Sequence, residues 1–218
     1  MIPRLPRLTT DDMEMGIGSI IRELSENDVE NKNKKKQQNG VGSISKCYKT
    51  KGDGVMVVPP SVFVPNLNPS YGERMGIPRL TSEVANDINL PCLFIIHLPA
   101  IDHWSLLVRT RWRRWFVVDS YLTQPDALHL SLVAFIDGSG SGFITNPLPV
   151  IRPFVQKEDW ECGYLTLFAF DRLLRVGPRA LEHEHARAHL FFSSSSYDDA
   201  IHYSRRHCCA FAPEKIIK

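Results

Sequence analysis

Gln156-Lys157-Glu158-Asp159-Trp160-Glu161-Cys162-Gly163 is a polar, acidic turn that feeds a Cys-Gly pair, and the uncharged run Tyr164-Leu165-Thr166-Leu167-Phe168-Ala169-Phe170 follows it. That second run is too apolar for a surface helix. It reads as a buried central helix with a cysteine in its first turn. The unbonded N–H groups of a first helical turn favour negative charge, which biases a thiol there toward thiolate. A free cysteine also suits such a place simply as a small apolar residue. To act as a nucleophile it needs a base, and the base needs a third group to orient it.

Upstream, Ile101-Asp102-His103-Trp104-Ser105-Leu106-Leu107-Val108 puts a histidine at the head of an apolar run of strand type. After an arginine-rich turn, Trp115-Phe116-Val117-Val118-Asp119-Ser120 reads as a second strand with an acid at its end. In an antiparallel hairpin the start of one strand lies beside the end of the next. His103 and Asp119 are therefore expected at the same end of the ribbon, and the chain order is His103, Asp119, Gln156, Cys162.

These strings, His103-Trp104, then Asp119-Ser120, then Gln156 ahead of Glu161-Cys162-Gly163, resemble the ubiquitin-like protein-specific proteases of the Ulp/SENP family and, more distantly, the adenovirus protease. The resemblance covers the chain from Asp12 to about Leu174. It implies an α+β papain-like cysteine protease fold of the adenain/Ulp type, with a central mixed sheet packed on a buried nucleophile helix. It implies thiol-dependent hydrolysis of a peptide or isopeptide bond after the Gly-Gly terminus of a ubiquitin-like modifier, SUMO-type first.

In that scheme Cys162 is the nucleophile. His103 takes its proton and later protonates the leaving amine, and Asp119 orients the ring and stabilises its charged form. Gln156 donates a side-chain N–H to the oxyanion beside the backbone N–H of Cys162. Trp104 lies over the Gly-Gly tail of the substrate, with core packing as the alternative, because neighbouring strand residues face opposite sides. In the family a tryptophan-bearing string introduces a capped first helix. Asp11-Asp12 resembles the end of that string, and no tryptophan precedes it here.

Three other functions share part of this pattern. A deubiquitinase or deneddylase of the same fold uses the same mechanism. A YopJ-type acetyltransferase uses the same Cys-His-acid order but favours Glu as the acid, which Asp119 argues against. An inactive protease-like module would hold a modifier without cleaving it, and the complete residue set argues against that. The expected partners are SUMO or another ubiquitin-like protein and its conjugates.

The chain has 218 residues, which fits a single domain. Its apolar fraction, 43 %, is ordinary for a globular protein, and a net charge of +2 gives no argument for nucleic acid or an anionic membrane as partner. No apolar run is long enough to span a bilayer, and the first residues lack the apolar centre of a secretory signal. The five cysteines, Cys47, Cys92, Cys162, Cys208 and Cys209, form no CxxC pair. They point to a reducing compartment without a disulfide framework or a zinc cluster. A monomer inside the cell is expected, in nucleus or cytoplasm, or in the host-cell interior for a pathogen protein. The pattern calls for no cofactor. His183-Glu184-His185 with His189 lacks the HExxH arrangement and reads as an exposed polar helix face, so no metal is expected.

Along the chain, Leu8 to Leu24 reads as a capped amphipathic helix, slightly weakened by Gly16 and Gly18. The span 28–54 carries the low-complexity run Lys32 to Gly40 and is expected as a flexible polar loop. Short extended pieces follow at Val55–Val58 and Val62–Val64, a short helix between Ile77 and Asp87, and a buried strand at Leu93–Leu98, adjacent to those beginning at His103 and Trp115. The basic turn Arg109–Arg114 suits either a charged hairpin tip or a contact with an acidic substrate face. Helices are expected at Gln124–Ile136, Pro178–Phe192 and Tyr197–His207, a flexible loop at Asp137–Gly142, and a strand at Val150–Val155.

Overall fold

A computed structural model describes residues 5–29, 46–48, 54–58, 60, 90–137, 148–177, 181, 186, 187, 190 and 197–209. Its frame is a six-stranded mixed sheet in sequence order: β1 (Lys46–Tyr48), β2 (Val55–Val58), β3 (Cys92–Leu98), β4 (His103–Arg109), β5 (Trp115–Val118) and β6 (Val150–Ile151). Two pairs run parallel, β2 with β3 and β5 with β6, and the other neighbours are antiparallel. Among the described residues the helices with defined bounds are α1 (Thr10–Val29), α2 (Ala127–Ile136), α3 (Cys162–Val176) and α4 (Tyr197–Cys209).

Strand alternation divides the core into two layers. Val55, Val57, Leu93, Ile95, Trp104, Leu106, Val108, Phe116 and Val118 face α1, α3 and α4. Met56, Val58, Phe94, Ile96, Leu107 and Val117 face the other way, where Leu132 and Val133 of α2 cover them. A sheet covered on both faces needs continuously apolar strands, and β3 to β5 supply them. The fold is α+β, as expected from the resemblance.

Helix α3 is buried at every residue from Cys162 to Asp171 because it lies between the sheet and the α1–α4 pair. Each Phe, Tyr or Leu it buries contributes about 1.5–3 kcal/mol. Hydrogen bonds tie it to its neighbours. The Thr166 hydroxyl donates to the Trp104 carbonyl (3.1 Å), and the Ser204 hydroxyl of α4 donates to the Tyr164 carbonyl (2.6 Å). Arg175 joins all three helices through Asp171 (2.7 Å), Glu23 (2.7 Å) and the Tyr203 hydroxyl (3.1 Å). Gly177, at φ +77°, ends the helix in a conformation that favours glycine.

Helix α1 begins in a capping box. The Thr9 hydroxyl accepts from the Asp12 N–H (3.2 Å), and the Asp12 carboxylate accepts from the Thr9 N–H (3.0 Å). Gly16 does more than weaken this helix. A Cβ there would stand 2.8 Å from Leu167 and 3.2 Å from the Cys208 sulfur, so its bareness lets α1 seat against α3 and α4.

Several boundaries differ from expectation. Helix α1 runs past Leu24 to Val29, and the polar span 28–54 contains strand β1. The second helix starts at Ala127 rather than Gln124, because Pro125 disfavours helix before it and Asp126 caps the start, its carboxylate taking the Leu128 N–H (2.8 Å). The strand expected over Val150–Val155 stops at Ile151, two residues before Pro153, which has no N–H to donate. The pieces expected at Val62–Val64 and Ile77–Asp87, and the loop after Asp137, lie outside the described residues. Within Pro178–Phe192, Ala186, Arg187 and Leu190 are helical and Leu181 is not, and the remainder, with His183, Glu184, His185 and His189, is outside the description.

Candidate active site

Cys162 is the first residue of α3, and the fold brings His103 to it from the head of β4. The thiol donates to the Asp159 carbonyl at 3.8 Å, and the cysteine lies near enough to the His103 ring to favour its charged form. Nε2 of the same ring meets both carboxylate oxygens of Asp119, at 2.9 and 3.0 Å. Nε2 is thus committed to the acid, and Nδ1 is the nitrogen left for the sulfur. All three side chains are buried.

The strand register produces this contact. Leu106 pairs with Val118, so Asp119 stands opposite Ser105 and His103 lies one pleat further along the same face. The Asp119 carboxylate also accepts the N–H groups of Tyr121 (2.7 Å) and Leu122 (2.8 Å). Burial works against its charge, but the His103 bond and those to Ser105 and Leu122 hold it below the ordinary carboxylate range. Burial likewise pulls on His103 in the neutral direction. The hydrogen bonds to Asp119 and Cys162 and their charges outweigh it and raise the imidazole to about 9.

Gln156 approaches from the loop before α3. Its side-chain oxygen accepts the Ser120 hydroxyl proton (2.8 Å), and its backbone N–H bonds to the Ser120 carbonyl (3.0 Å). With the oxygen so held, the amide NH2 is the end available to another acceptor. Glu161, immediately before the cysteine, makes no side-chain cap bond to α3. Its carboxylate turns back to take the N–H groups of Lys157 and Glu158, each at 2.7 Å, and the Tyr197 hydroxyl of α4. That carboxylate therefore shapes the loop joining Gln156 to Cys162.

Residues 5–9 pass directly over the head of α3. The Tyr164 hydroxyl donates to the Pro6 carbonyl (3.0 Å), and the Trp104 indole N–H donates to the Leu8 carbonyl (2.9 Å). Arg7 bridges Asp102, just before His103, and Asp159, three residues before Cys162. A Cβ at Gly163 would stand 3.1 Å from the Leu8 side chain, so the glycine of the Cys-Gly pair is where this strap makes its close approach. Asp102 holds a left-handed conformation, φ 48°, and also pairs with His97 (3.0 Å). Trp104 is 3 % exposed, packed in the core with its ring against His97.

The structure thus brings His103, Asp119, Gln156 and Cys162 to one end of the sheet and leaves Trp104 beneath the strap. The basic turn lies at the far end of β4, roughly 20 Å away at the usual rise per strand residue. Its Arg109 is buried. Sequence reading missed Arg7, Ser105, Glu161 and His129, and gave Ser120 no role of its own. Ser105 carried a usable signal, since it shares a strand face with His103.

No family model matches the chain, and no curated protein does. Among solved structures, a de-sumoylating protease superposes with a TM-score of 0.51 at 11 % identity, over 94 % of this chain and 74 % of that one. The SUMO protease Ulp1 with its catalytic cysteine oxidized to a sulfinic acid gives 0.49 at 14 % identity, over 94 % and 80 %. The C-terminal Ulp1 protease domain in complex with Smt3, the yeast ortholog of SUMO, gives 0.37 at 12 % identity, over 86 % and 93 %. At such identities the likeness is one of fold, carried by the first of these: the chain has an Ulp/SENP-type cysteine protease fold.

Proposed function

We propose that this protein is a thiol protease that cleaves the peptide or isopeptide bond after the Gly-Gly terminus of a ubiquitin-like modifier, SUMO-type first. The observation that supports the reading is the buried His103–Asp119 pair set beside Cys162 at the head of α3. His103 takes the thiol proton, and the resulting thiolate attacks the carbonyl carbon of the terminal glycine. The Gln156 amide and the Cys162 N–H receive the oxyanion. Imidazolium then protonates the departing amine, and water, activated by the neutral ring, releases the modifier.

Trp104 is buried beneath the strap with its indole N–H on the Leu8 carbonyl, so contact between it and the modifier's tail would require the strap to move aside. Exposed Tyr121, whose ring lies 5.8 Å from His103, and exposed Val155, next to Gln156, supply apolar surface for the modifier's body.

A panel of ubiquitin-like modifiers with electrophilic C-termini tests this. A covalent adduct with at least one, SUMO first, is expected, and Cys162→Ala abolishes it. An adduct with ubiquitin or NEDD8 alone moves the assignment to a deubiquitinase or deneddylase. Adduct formation that survives Cys162→Ala removes Cys162 as nucleophile, modifier binding without reaction indicates a holding module, and turnover of acetyl-CoA an acetyltransferase.

A further inference from the structure

Asp119 has a second buried side-chain partner besides His103. Ser105 stands opposite it across the β4–β5 register, buried on the same sheet face, where its hydroxyl favours the charged carboxylate. Behind Ser105 is His129 of α2, fully buried, with Nε2 3.1 Å from the Ser105 oxygen.

The start of α2 sets the proton positions in this row. Asp126 caps the helix, and its own backbone N–H donates to Nδ1 of His129, three residues on, at 3.0 Å. This is the reciprocal half of a capping box, with histidine in the place usual for Glu or Gln. Nδ1 is therefore an acceptor and carries no proton. The ring is neutral, its proton sits on Nε2, and that N–H donates to Ser105. Ser105, having accepted there, turns its own proton to Asp119. Burial agrees, pulling His129 down to about 4. The charged groups facing His129 are Asp119, Asp126 and His103. Those facing Asp119 are His103 and the neutral Ser105–His129 pair.

We propose that Ser105 and His129 are positioning residues of the active site, holding the Asp119 carboxylate in the orientation that engages Nε2 of His103. They touch neither the thiol nor the substrate and act only through the carboxylate. The helix cap at Asp126 thereby reaches the active site through a row of four neighbouring buried side chains, His129, Ser105, Asp119 and His103. The inference deepens the protease reading and rests on it for its meaning, but its test needs no substrate.

The measurement is the NMR-followed titration of the His103 ring in the whole protein, for wild type, Ser105→Ala, His129→Phe and His129→Gln. The N–H groups of Tyr121 and Leu122 still hold one carboxylate oxygen, so the group pivots about it and its second oxygen turns from Nε2; Ser105→Ala and His129→Phe should therefore lower the His103 midpoint by about one unit. His129→Gln retains an N–H near the Nε2 position and should restore most of it. Ser105→Ala removes one oxygen and is the deciding variant should His129→Phe fail to fold. A His103 midpoint in Ser105→Ala within 0.3 of wild type overturns the proposal. If modifier cleavage is also found, kcat in Ser105→Ala should fall about tenfold with KM unchanged. If no modifier reacts, the protease reading fails while the titration still judges the positioning claim.

Discussion

Under the proposed protease function, Ser120 and Gln156 allow a quantitative test of how an oxyanion donor is aimed. Gln156→Ala removes one donor from the tetrahedral intermediate, a loss of about 2.7–4 kcal/mol, or about 100- to 1,000-fold in kcat. Ser120→Ala leaves the amide in place but releases its oxygen from the 2.8 Å bond that orients it. A neutral hydrogen bond is worth about 1 kcal/mol net, which at 1.36 kcal/mol per decade is roughly a fivefold loss. Ser120 acts through Gln156, so the double variant should lose no more than Gln156→Ala alone, and the cycle should return a coupling near 1 kcal/mol. Gln156→Glu keeps the acceptor that Ser120 holds but turns a carboxylate oxygen toward the oxyanion, and should be slower than Gln156→Ala. The assay is kcat on a modifier bearing a fluorogenic C-terminal amide, with KM recorded separately. Losses that simply add in the double variant, or wild-type kcat in Gln156→Ala, refute the aiming argument.

Two further expectations concern stability. Gly16→Val forces a branched side chain onto Leu167 and Cys208 and should cost about 2 kcal/mol or more, a fall of about 4–8 °C in Tm. Gly18, with nothing within 4 Å of an added Cβ, should instead gain up to about 1 kcal/mol as Ala, and calorimetry giving both variants the same sign would contradict the packing described. His129 stays neutral in the folded protein down to about 4, whereas the unfolded chain takes up that proton near 6.5. The contribution is therefore intact above pH 6.5 and lost as pH falls toward 4, on the order of 3 kcal/mol. His103 has the opposite sign: raised to about 9, it contributes below 6.5 and loses that contribution as pH climbs through 9. Urea midpoints at pH 6.5 and 4.5 should diverge less in His129→Phe than in wild type, and an equal drop in both would remove His129 from the acid response.

Where one element fixes its own neighbours, the sequence was readable. The β4–β5 hairpin is short, and its alternation alone carries His103 and Asp119 to one end. The charge-free run after Cys162 can only be a central helix. What was not readable depends on pairings between distant elements. Nothing near His129 says that α2 will cover the sheet face bearing Ser105. Glu161 looks like one more acid in an acidic turn, and its bonds to Lys157 and Glu158 exist only once the loop folds back. Gly16 reads as a flaw in a helix until α3 and α4 are placed against it. Strand β1 escaped because Lys46-Cys47-Tyr48 joins the sheet at its edge by backbone pairing to β2, with no apolar alternation to announce it.

The strap over the head of α3 has a consequence for when the site comes into being. Pro6, Arg7 and Leu8 leave the ribosome well before the groups that receive them, Trp104, Asp102, Asp159 and Tyr164, which are synthesised 95 to 158 residues later. Closing so wide a loop is slow and late. The nascent chain thus carries no finished site until Tyr164 has emerged, and the same delay would fall on any molecule whose strap has come loose.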